Sequence, residues 1–494
     1  MVTTPLLLYF FSPVLLGLVG VLAEKAKAPR LRDGAAVAVG LWGVQTIWAL
    51  AKTGPLQGET LVISLLGKPP LGACLEVDLM GLYFAGTAVV LCLLATLYSL
   101  AYMGHEDRLT EFYTLVSCLT VGMVGVSLAG DFYTLFIFWE LMGLSSYSLV
   151  GFRKSLAGPI EASFKYMVMG SVGSVVLFFG MAFLYGMAGT LNFAHLSTVL
   201  RDAPLNPWMM VVFATLLVGM GVKAAIVPMH TWLPDAHPEA PSPISAILSG
   251  IVIETGLYAL IRVLYLVYEP AFFKAPIALL AAATMTLGNI LALRQDDVKR
   301  MLAYSSIAQV GYMLIGVSTG LAYGLLGTLL HVFNHSFMKG AAFLAVGSID
   351  HQAGTRDLKK LRGVGRRMPL TTLAIIVSFL GLAGVPGTSG FISKFTLFSS
   401  AIGAGMGYLA LLGVLNSSLS VAYYARVIMT LLSGEPGKDV QVGEASPIMV
   451  LVTLAMALVI IWLGLFPGGL TALANEATKP LFEGLTQYIG AVLG

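Results

Sequence analysis

Lys223 stands in a stretch that leaves an amine little choice of surroundings. The run before it, Met209 to Gly221, carries no charge and reads as membrane-buried helix; Pro228 follows Lys223 at a distance of five residues. Proline cannot donate the backbone bond that a helix interior needs, so the helix is expected to break there. A lysine at bilayer depth costs at least ~2.5–3.5 kcal/mol, which directs it towards protein or water rather than lipid. Irregular backbone at that depth is tolerated only where it is buried or lines a cavity. A buried amine beside a hydrated break has the chemistry of a proton or cation path. The plainer reading is a lysine that pairs with a neighbouring carboxylate and holds helices together.

Other ionisable residues also fall inside apolar runs: Glu140 after Phe138-Trp139, Lys165, Glu254, the set His331, His335 and Lys339, and Lys394. At i, i+4 and i+8 the two histidines and Lys339 share one helix face, about 6 Å apart along the axis. Histidine titrates near neutral pH, so this stripe can hand protons along through intervening water. As a purely structural feature it would be a polar seam bonding neighbouring helices. Haem ligation is disfavoured, because two ligands on one helix face cannot take opposite axial positions of one haem. His230, His237 and His351 lie near helix ends, and His105 and His195 in loops. A second break is expected at Pro386, within Gly384-Val-Pro-Gly-Thr-Ser-Gly390 and just before Phe391-Ile-Ser-Lys394. That glycine-rich stretch lacks the Walker spacing of a phosphate cradle. Lysine precedes the break at Pro228 and follows the break at Pro386, which fits an inverted repeat with ion sites at its discontinuous helices.

The elements that must position these residues are membrane spans. The 494 residues are 57% hydrophobic and only 11% charged, against about 25% charged in soluble domains. With a mean hydropathy of +0.87, the composition is that of an all-α polytopic membrane protein and excludes a soluble enzyme with an anchor. The net charge of +3 is spread over short loops, so no basic face for nucleic acid is formed. Cys74, Cys92 and Cys118 make no C-x-x-C, and no dinucleotide or Walker motif occurs, so no cofactor and no metal site is expected in this chain. The first apolar run, Pro5 to Ala23, has its charges after it rather than before it, the reverse of a signal peptide.

Apolar runs long enough to span number fourteen, near 5–23, 35–51, 79–103, 112–129, 132–151, 162–188, 208–233, 244–268, 271–293, 301–319, 321–349, 369–400, 404–433 and 447–466. The tail, 469–493, reads as an amphipathic helix. Outside the runs, the connections from odd to even spans hold most of the basic residues: Lys25, Lys27, Arg30, Arg32, Arg108, Arg153, Lys154, Arg294, Lys299, Arg300, the cluster from Arg356 to Arg367, and Lys438. Lys52, Lys68, Arg201, Lys274 and Lys479 fall on the other side. The positive-inside rule then turns the basic loops to the cytoplasm and both termini outward, in a cell (inner or plasma) membrane.

Several motifs together resemble a known family. They are Phe138-Trp-Glu-Leu-Met142, Lys223-Ala-Ala-Ile-Val-Pro228 with Trp232-Leu-Pro-Asp-Ala236, Asp297-Val-Lys-Arg300 with Ala303–Tyr312, His331–Lys339, and Gly390-Phe-Ile-Ser-Lys394. This set is similar to the antiporter-like subunits shared by respiratory complex I, the multisubunit Mrp cation/proton antiporters and membrane-bound energy-converting hydrogenases. The match covers about 110 to 400; the flanks agree only in hydrophobicity. The resemblance implies fourteen helices with two inverted five-helix units, spans 4–8 and 9–13, each offering a half-channel. The chain would then divide into N-terminal helices (1–110), a first unit (111–268), a second unit (269–433) and a C-terminal helix with tail (434–494). The fifth-helix glutamate falls on Glu140, the seventh-helix lysine on Lys223, the twelfth-helix lysine on Lys394, and the polar eleventh-helix positions on His331, His335 and Lys339. Glu254 stands where many members carry an eighth-helix lysine.

The length fits the D-type Mrp subunit and its hydrogenase and medium-sized complex I counterparts, and Asp235–Gly250 is nearest to the Mrp and hydrogenase branch. The function so implied is proton translocation, with or without exchange for Na⁺, through Glu140, Lys165, Lys223, Glu254, His331, His335, Lys339 and Lys394. The implied partners are other integral subunits, homologous antiporter-like chains among them, and the lipid bilayer. Two other readings remain open. One is the membrane arm of a redox-driven pump whose cofactors lie in other subunits, with a peripheral redox module as partner. The other is a scaffold whose buried charges only hold a complex together.

Overall fold

A chain with so few polar side chains must satisfy its backbone within each segment, and helices do this without help from neighbours. The computed structural model, which describes residues 3–201, 203–204, 206–435 and 442–494, is accordingly built almost wholly of helices. They run α1 (Thr3–Phe10), α2 (Ser12–Lys25) and α3 (Pro29–Ala51), then, after a β-hairpin, α4 (Leu79–Tyr102), α5 (Leu109–Ser127), α6 (Phe132–Val150), α7 (Ala157–Ala188) and the short α8 (Phe193–Leu200). Next come α9 (Pro207–Lys223), α10 (Leu233–Glu239), α11 (Ser242–Ile247), a π turn (Leu248–Val252), α12 (Ile253–Val267), α13 (Pro270–Leu293), α14 (Val298–Thr319) and α15 (Ala322–Ala353). The chain ends with α16 (Pro369–Ala383), α17 (Ser389–Gly403), α18 (Gly407–Leu432), α19 (Pro447–Leu465), α20 (Gly468–Phe482) and α21 (Leu485–Leu493).

Among the described residues nine helices are long and apolar enough to cross a membrane, or ten if α1 and α2, bent by 52°, count as one. The other expected spans fall short for physical reasons. α9 and α16 are cut short by the breaks at Pro228 and Pro386, while α6 and α15 are long enough but diluted by polar side chains. The run expected at 208–233 is therefore not one helix: it stops at Lys223 and resumes at Leu233.

One element has no counterpart in the hydropathy pattern. β1 (Leu61–Leu66) pairs antiparallel with β2 (Ala73–Val77), with Leu61 opposite Val77 and Ile63 opposite Leu75. β2 docks on the turn between α5 and α6, where Glu76 N donates to Leu128 O at 2.8 Å and Gly130 N to Cys74 O at 3.0 Å. Nearby helices start on side-chain caps: Asp78 accepts from Gly81 N at 2.7 Å, Asp131 from Thr134 N at 2.7 Å, and Asn192 from His195 N at 3.0 Å. Each such cap contributes about 1 kcal/mol.

The opposite set of helix ends holds the basic connections, which meet one another. Arg153 pairs with Glu106 at 2.6 Å and Arg356 with Asp297 at 2.6 Å, and Val298 N donates to Arg356 O at 3.1 Å. Lys359 and Arg426 hold the Asp296 carboxyl below the usual carboxylate range. Lys299 is a correction to the loop count: it is buried in the first turn of α14 and donates to Ala240 O at 2.6 Å. Lys438 lies outside the described residues.

At the centre, α12 is buried on every face, as are nearly all of α14 and most of α15, so the polar residues there meet protein rather than lipid. Close backbone approach makes this possible. A Cβ on Gly311 of α14 would lie 2.4 Å from Met285 N of α13, and one on Gly288 would lie 2.6 Å from Ala308 N. Small residues at helix contacts are how membrane helices gain packing energy. Gly311→Ala is expected to destabilise by about 1–3 kcal/mol through overpacking. Gly186→Ala, on α7 with nothing within 4 Å, should not; thermal unfolding of the detergent-solubilised variants compares them.

Candidate functional site

The break after α9 exposes backbone groups that the fold satisfies one by one. Ile226 N donates to Gly221 O at 2.9 Å, Val227 N to Thr284 Oγ1 at 3.2 Å, and the Trp232 indole to Val222 O at 2.8 Å. Ala225 sits at φ +53°, a conformation that persists only where surrounding structure imposes it. Trp232 in turn stacks on Tyr166, centroids 3.8 Å apart and planes 4° off parallel. Gly256 of α12 closes the other side: a Cβ there would meet Ala224 N at 2.8 Å.

Lys223 is the last residue of α9, and its amine is held by aromatic faces. Nζ lies 5.1 Å from the Tyr147 ring, 5.6 Å from Tyr166 and 5.7 Å from Trp139, and among the described residues it hydrogen-bonds only the Tyr147 hydroxyl, at 3.5 Å. Ring quadrupoles attract a cation without fixing its position as a hydrogen bond would. Glu140 follows Trp139 on α6, half-buried, and makes no hydrogen bond or ion pair among the described residues. The carboxylate and the amine are thus neighbours across the aromatic group rather than a contact pair.

A second, tighter array starts on α12. Glu254, two residues after the π turn between α11 and α12, accepts from Ser336 at 2.9 Å, and its other oxygen lies 2.5 Å from His335 Nδ1. The His335 and His331 rings lie 6.1 Å apart, 23° from parallel. His331 bonds Ser393 of α17 through Nδ1 and Gln309 of α14 through Nε2, both at 2.9 Å. Gln309 donates to Leu382 O at 3.1 Å, the same carbonyl that accepts from Lys394 Nζ at 2.7 Å. Lys394 also reaches Ala383 O at 3.4 Å and Ser417 at 3.0 Å, and sits 4.6 Å over Tyr312. Although it follows the break in sequence, its amine bends back to the last carbonyls of α16, where the helix dipole favours a cation.

Of the sequence-selected residues, Glu254, His331, His335 and Lys394 are thus brought into one buried row, while Lys223 and Glu140 form a separate pair of neighbours at the break after α9. Lys339 is equally buried but points aside, donating to Leu302 O at 2.9 Å and Ser305 at 2.7 Å. Pro228 lies between α9 and α10, and Pro386 between α16 and α17. Lys165 is the correction. Its side chain is 49% exposed and pairs with Glu161 at 2.8 Å and Asp235 at 3.2 Å. α7 has 32 residues, about 48 Å of helix, more than a hydrocarbon core of about 30 Å holds, so its first turns stand at the basic face. Sequence reading missed Gln309, Ser393 and the tyrosines, although Gln309 and Ser393 lie inside the quoted motifs.

The family described as NADH:quinone oxidoreductase/Mrp antiporter, TM, matches residues 129–420. Subunit N of the F(420)H(2) dehydrogenase of Methanosarcina mazei is 37% identical over 420 residues, covering 82% of this chain and 85% of that protein. Subunit N of the NADH-quinone oxidoreductase of Trichlorobacter lovleyi is 37% identical over 399 residues, 78% of this chain and 80% of its own length. A chain in the structure of the Mrp complex from Dietzia sp. DQ12-45-1b superposes with a TM-score of 0.90 at 26% identity, covering 100% of both chains.

The geometry separates the two kinds of buried and exposed partner energetically. Ser393→Ala leaves a ring nitrogen of His331 unpaired and should destabilise by about 1–3 kcal/mol. Lys165→Ala should change stability by less than about 1 kcal/mol, as exposed ion pairs do. Thermal unfolding in one detergent distinguishes them, and equal effects would contradict the burial contrast.

Proposed function

The chain belongs to the NADH:quinone oxidoreductase/Mrp antiporter transmembrane family as an antiporter-like membrane subunit, and we propose that it carries protons along its buried row. The observation that carries this reading is the linked set Glu254–His335 and His331–Gln309–Leu382 O–Lys394, with Lys223 at the other break. Glu140 and Lys223 load the row, Glu254, His335 and His331 pass protons through it with intervening water, and Lys394 exchanges them at the second break. Lys339 is a side branch, and Lys165 takes no part.

Charge movement at Lys223 supplies the switch. At an effective dielectric of about 20, bringing a carboxylate from about 8 Å to about 4 Å changes its interaction with an amine by roughly 2 kcal/mol. That alters proton affinity more than tenfold. The loose aromatic seat of Lys223 suits such a displacement, whereas the carbonyl-bound Lys394 suits release.

The proposed frame is fourteen spans: the nine long apolar helices, the bent α1–α2 pair, the interrupted α9 and α16, and the polar α6 and α15. Residues 111–268 and 269–433 form two inverted units, flanked by 1–110 and 434–494, with the basic loops in the cytoplasm and both termini outside an inner or plasma membrane. Sister antiporter-like subunits are the partners. A second reading concerns the driver. The 37% identity to subunits of F(420)H(2) dehydrogenase and NADH-quinone oxidoreductase favours a redox-driven pump with a peripheral module over Na⁺/H⁺ exchange.

Lys223→Ala in the native complex, reconstituted in vesicles, should abolish coupled proton transport while the complex still assembles. Transport at the full rate would sink the proposal, and loss of assembly would favour a scaffold. Mass spectrometry of the co-purifying subunits decides the driver: iron–sulfur proteins for the redox reading, only small hydrophobic chains and homologues for the antiporter.

A further inference from the structure

A second group of buried charges lies at the face opposite the basic loops, outside the row. Arg262 of α12 is 1% exposed; its Nη1 pairs with Asp78 and its Nη2 lies 3.9 Å from Glu76 on β2. Glu76 is fully enclosed, yet its Oε2 is bonded by the Tyr488 hydroxyl of α21. Asn192 donates to its Oε1 at 3.4 Å, and the Cys74 thiol lies 3.9 Å from the same oxygen. Tyr488 and Asp78 line a cavity of about 190 Å³, with Glu59, Lys479, Glu483 and Gln487 around them. One hydroxyl therefore separates Glu76 from a cavity large enough to hold several waters.

The charges do not balance when all are ionised. Asp78 neutralises Arg262, and Glu76 is the surplus carboxylate, with Asp131 a further acid nearby. The other titratable neighbours are Cys74 from its own strand, Tyr258 from α12 and Tyr488 from α21. Burial pushes the Glu76 carboxyl up to about 8, against the pull of Arg262 and of the Tyr488 hydrogen bond. Among the described residues Arg262 Nε and Nη2 have no hydrogen-bond partner, so buried donors are left for a water or for a Glu76 carboxylate that moves closer. α12 joins this group to the row, because Glu254, Tyr258 and Arg262 stand at i, i+4 and i+8 on one face.

We propose that Glu76, seated between Arg262 and Tyr488 beneath this cavity, is a proton-exchange site through which the first helix unit opens to the face opposite the basic loops. The protonated carboxyl releases its proton to cavity water by way of the Tyr488 hydroxyl. The carboxylate that remains accepts hydrogen bonds from the free donors of Arg262 and from Tyr488, and the reverse steps reload it. This rests on the reading of the chain as a proton carrier.

The test uses the intact complex with Glu76→Gln, which keeps the size and hydrogen-bonding capacity of the side chain. Infrared titration should show a protonated-carboxyl band lost with a midpoint near pH 8 and absent in E76Q; an unchanged band in the variant overturns the assignment. A carboxyl held above its ordinary value stabilises the fold below about pH 4.5, and that stability is lost as pH rises to about 8. The unfolding temperature should therefore fall across that window in the parent protein and less in E76Q. Proton transport in vesicles should drop at least tenfold in E76Q. Tyr488→Phe, a milder change should E76Q fail to fold, should slow transport several-fold and move the band midpoint upward. Full transport in E76Q alongside loss in Lys223→Ala overturns the exchange site alone, whereas full transport in both overturns the carrier reading.

Discussion

Placing charge where there is almost no water governs the rest of this structure. An isolated ion in a low-dielectric interior costs several kcal/mol even after relaxation, and α12, α14 and α15 together carry Glu254, Arg262, Lys299, His331, His335 and Lys339 in fully buried positions. The fold meets that cost with backbone. Interrupted helices offer carbonyls that an intact helix would keep for itself, and Lys394 takes two of them. Lys299 takes Ala240 O at the end of α10, and Lys339 takes Leu302 O. Breaks in α-helices are usually liabilities in a membrane; here they are the solvent for cations.

Lys223 is the exception, and the contrast is the basis of the different roles proposed for the two lysines. It ends a helix as Lys394 approaches one, yet it uses no carbonyl and rests among three rings. A cation held by quadrupoles can shift by an ångström or two with little loss, whereas one held by three oxygens cannot. The helix segment after the first break is not loose, however. α10 is tied to the basic face by Arg356 with Glu239 at 2.8 Å and by Arg300 with Asp235 at 3.0 Å. Arg300 begins α14, and Arg356 follows α15, the helix of the two histidines. A displacement of α10 beside Lys223 is thereby felt by the elements that hold the second half of the row.

Much of this was legible in the sequence because it follows from local rules. Pro228 beside Lys223 marks a break whatever surrounds it, and the spacing of His331, His335 and Lys339 places them on one face of any helix. What was not legible is partner choice at long range. Nothing near Arg262 in sequence says that its carboxylate is Asp78, 184 residues away, although a buried arginine demands one. The hairpin carrying Glu76 was hidden because residues between spans have no hydropathy signature. Lys165 was misread for the converse reason: an apolar flank does not imply bilayer depth when the helix is longer than the bilayer. Lys299 failed in the opposite sense, since a charge beside a loop can still be drawn inward by a free carbonyl.

The glutamate at position 254 gives the row its order. It sets an acid against His335 at the head of three bases, His335, His331 and Lys394, as Glu140 lies near Lys223 at the first break. With a lysine at 254, four bases would adjoin one another, and His335 would lose its carboxylate partner. With Glu254 bonded to His335, a proton transferred within the pair leaves its net charge unchanged, so the low-dielectric cost of the step is confined to a dipole rather than a new ion. The imidazole of His331 then lies between this pair and the carbonyl shared by Gln309 and Lys394. Either position of that proton leaves the pair with the same net charge, which is the property that suits it to the proton-carrying role proposed for the row.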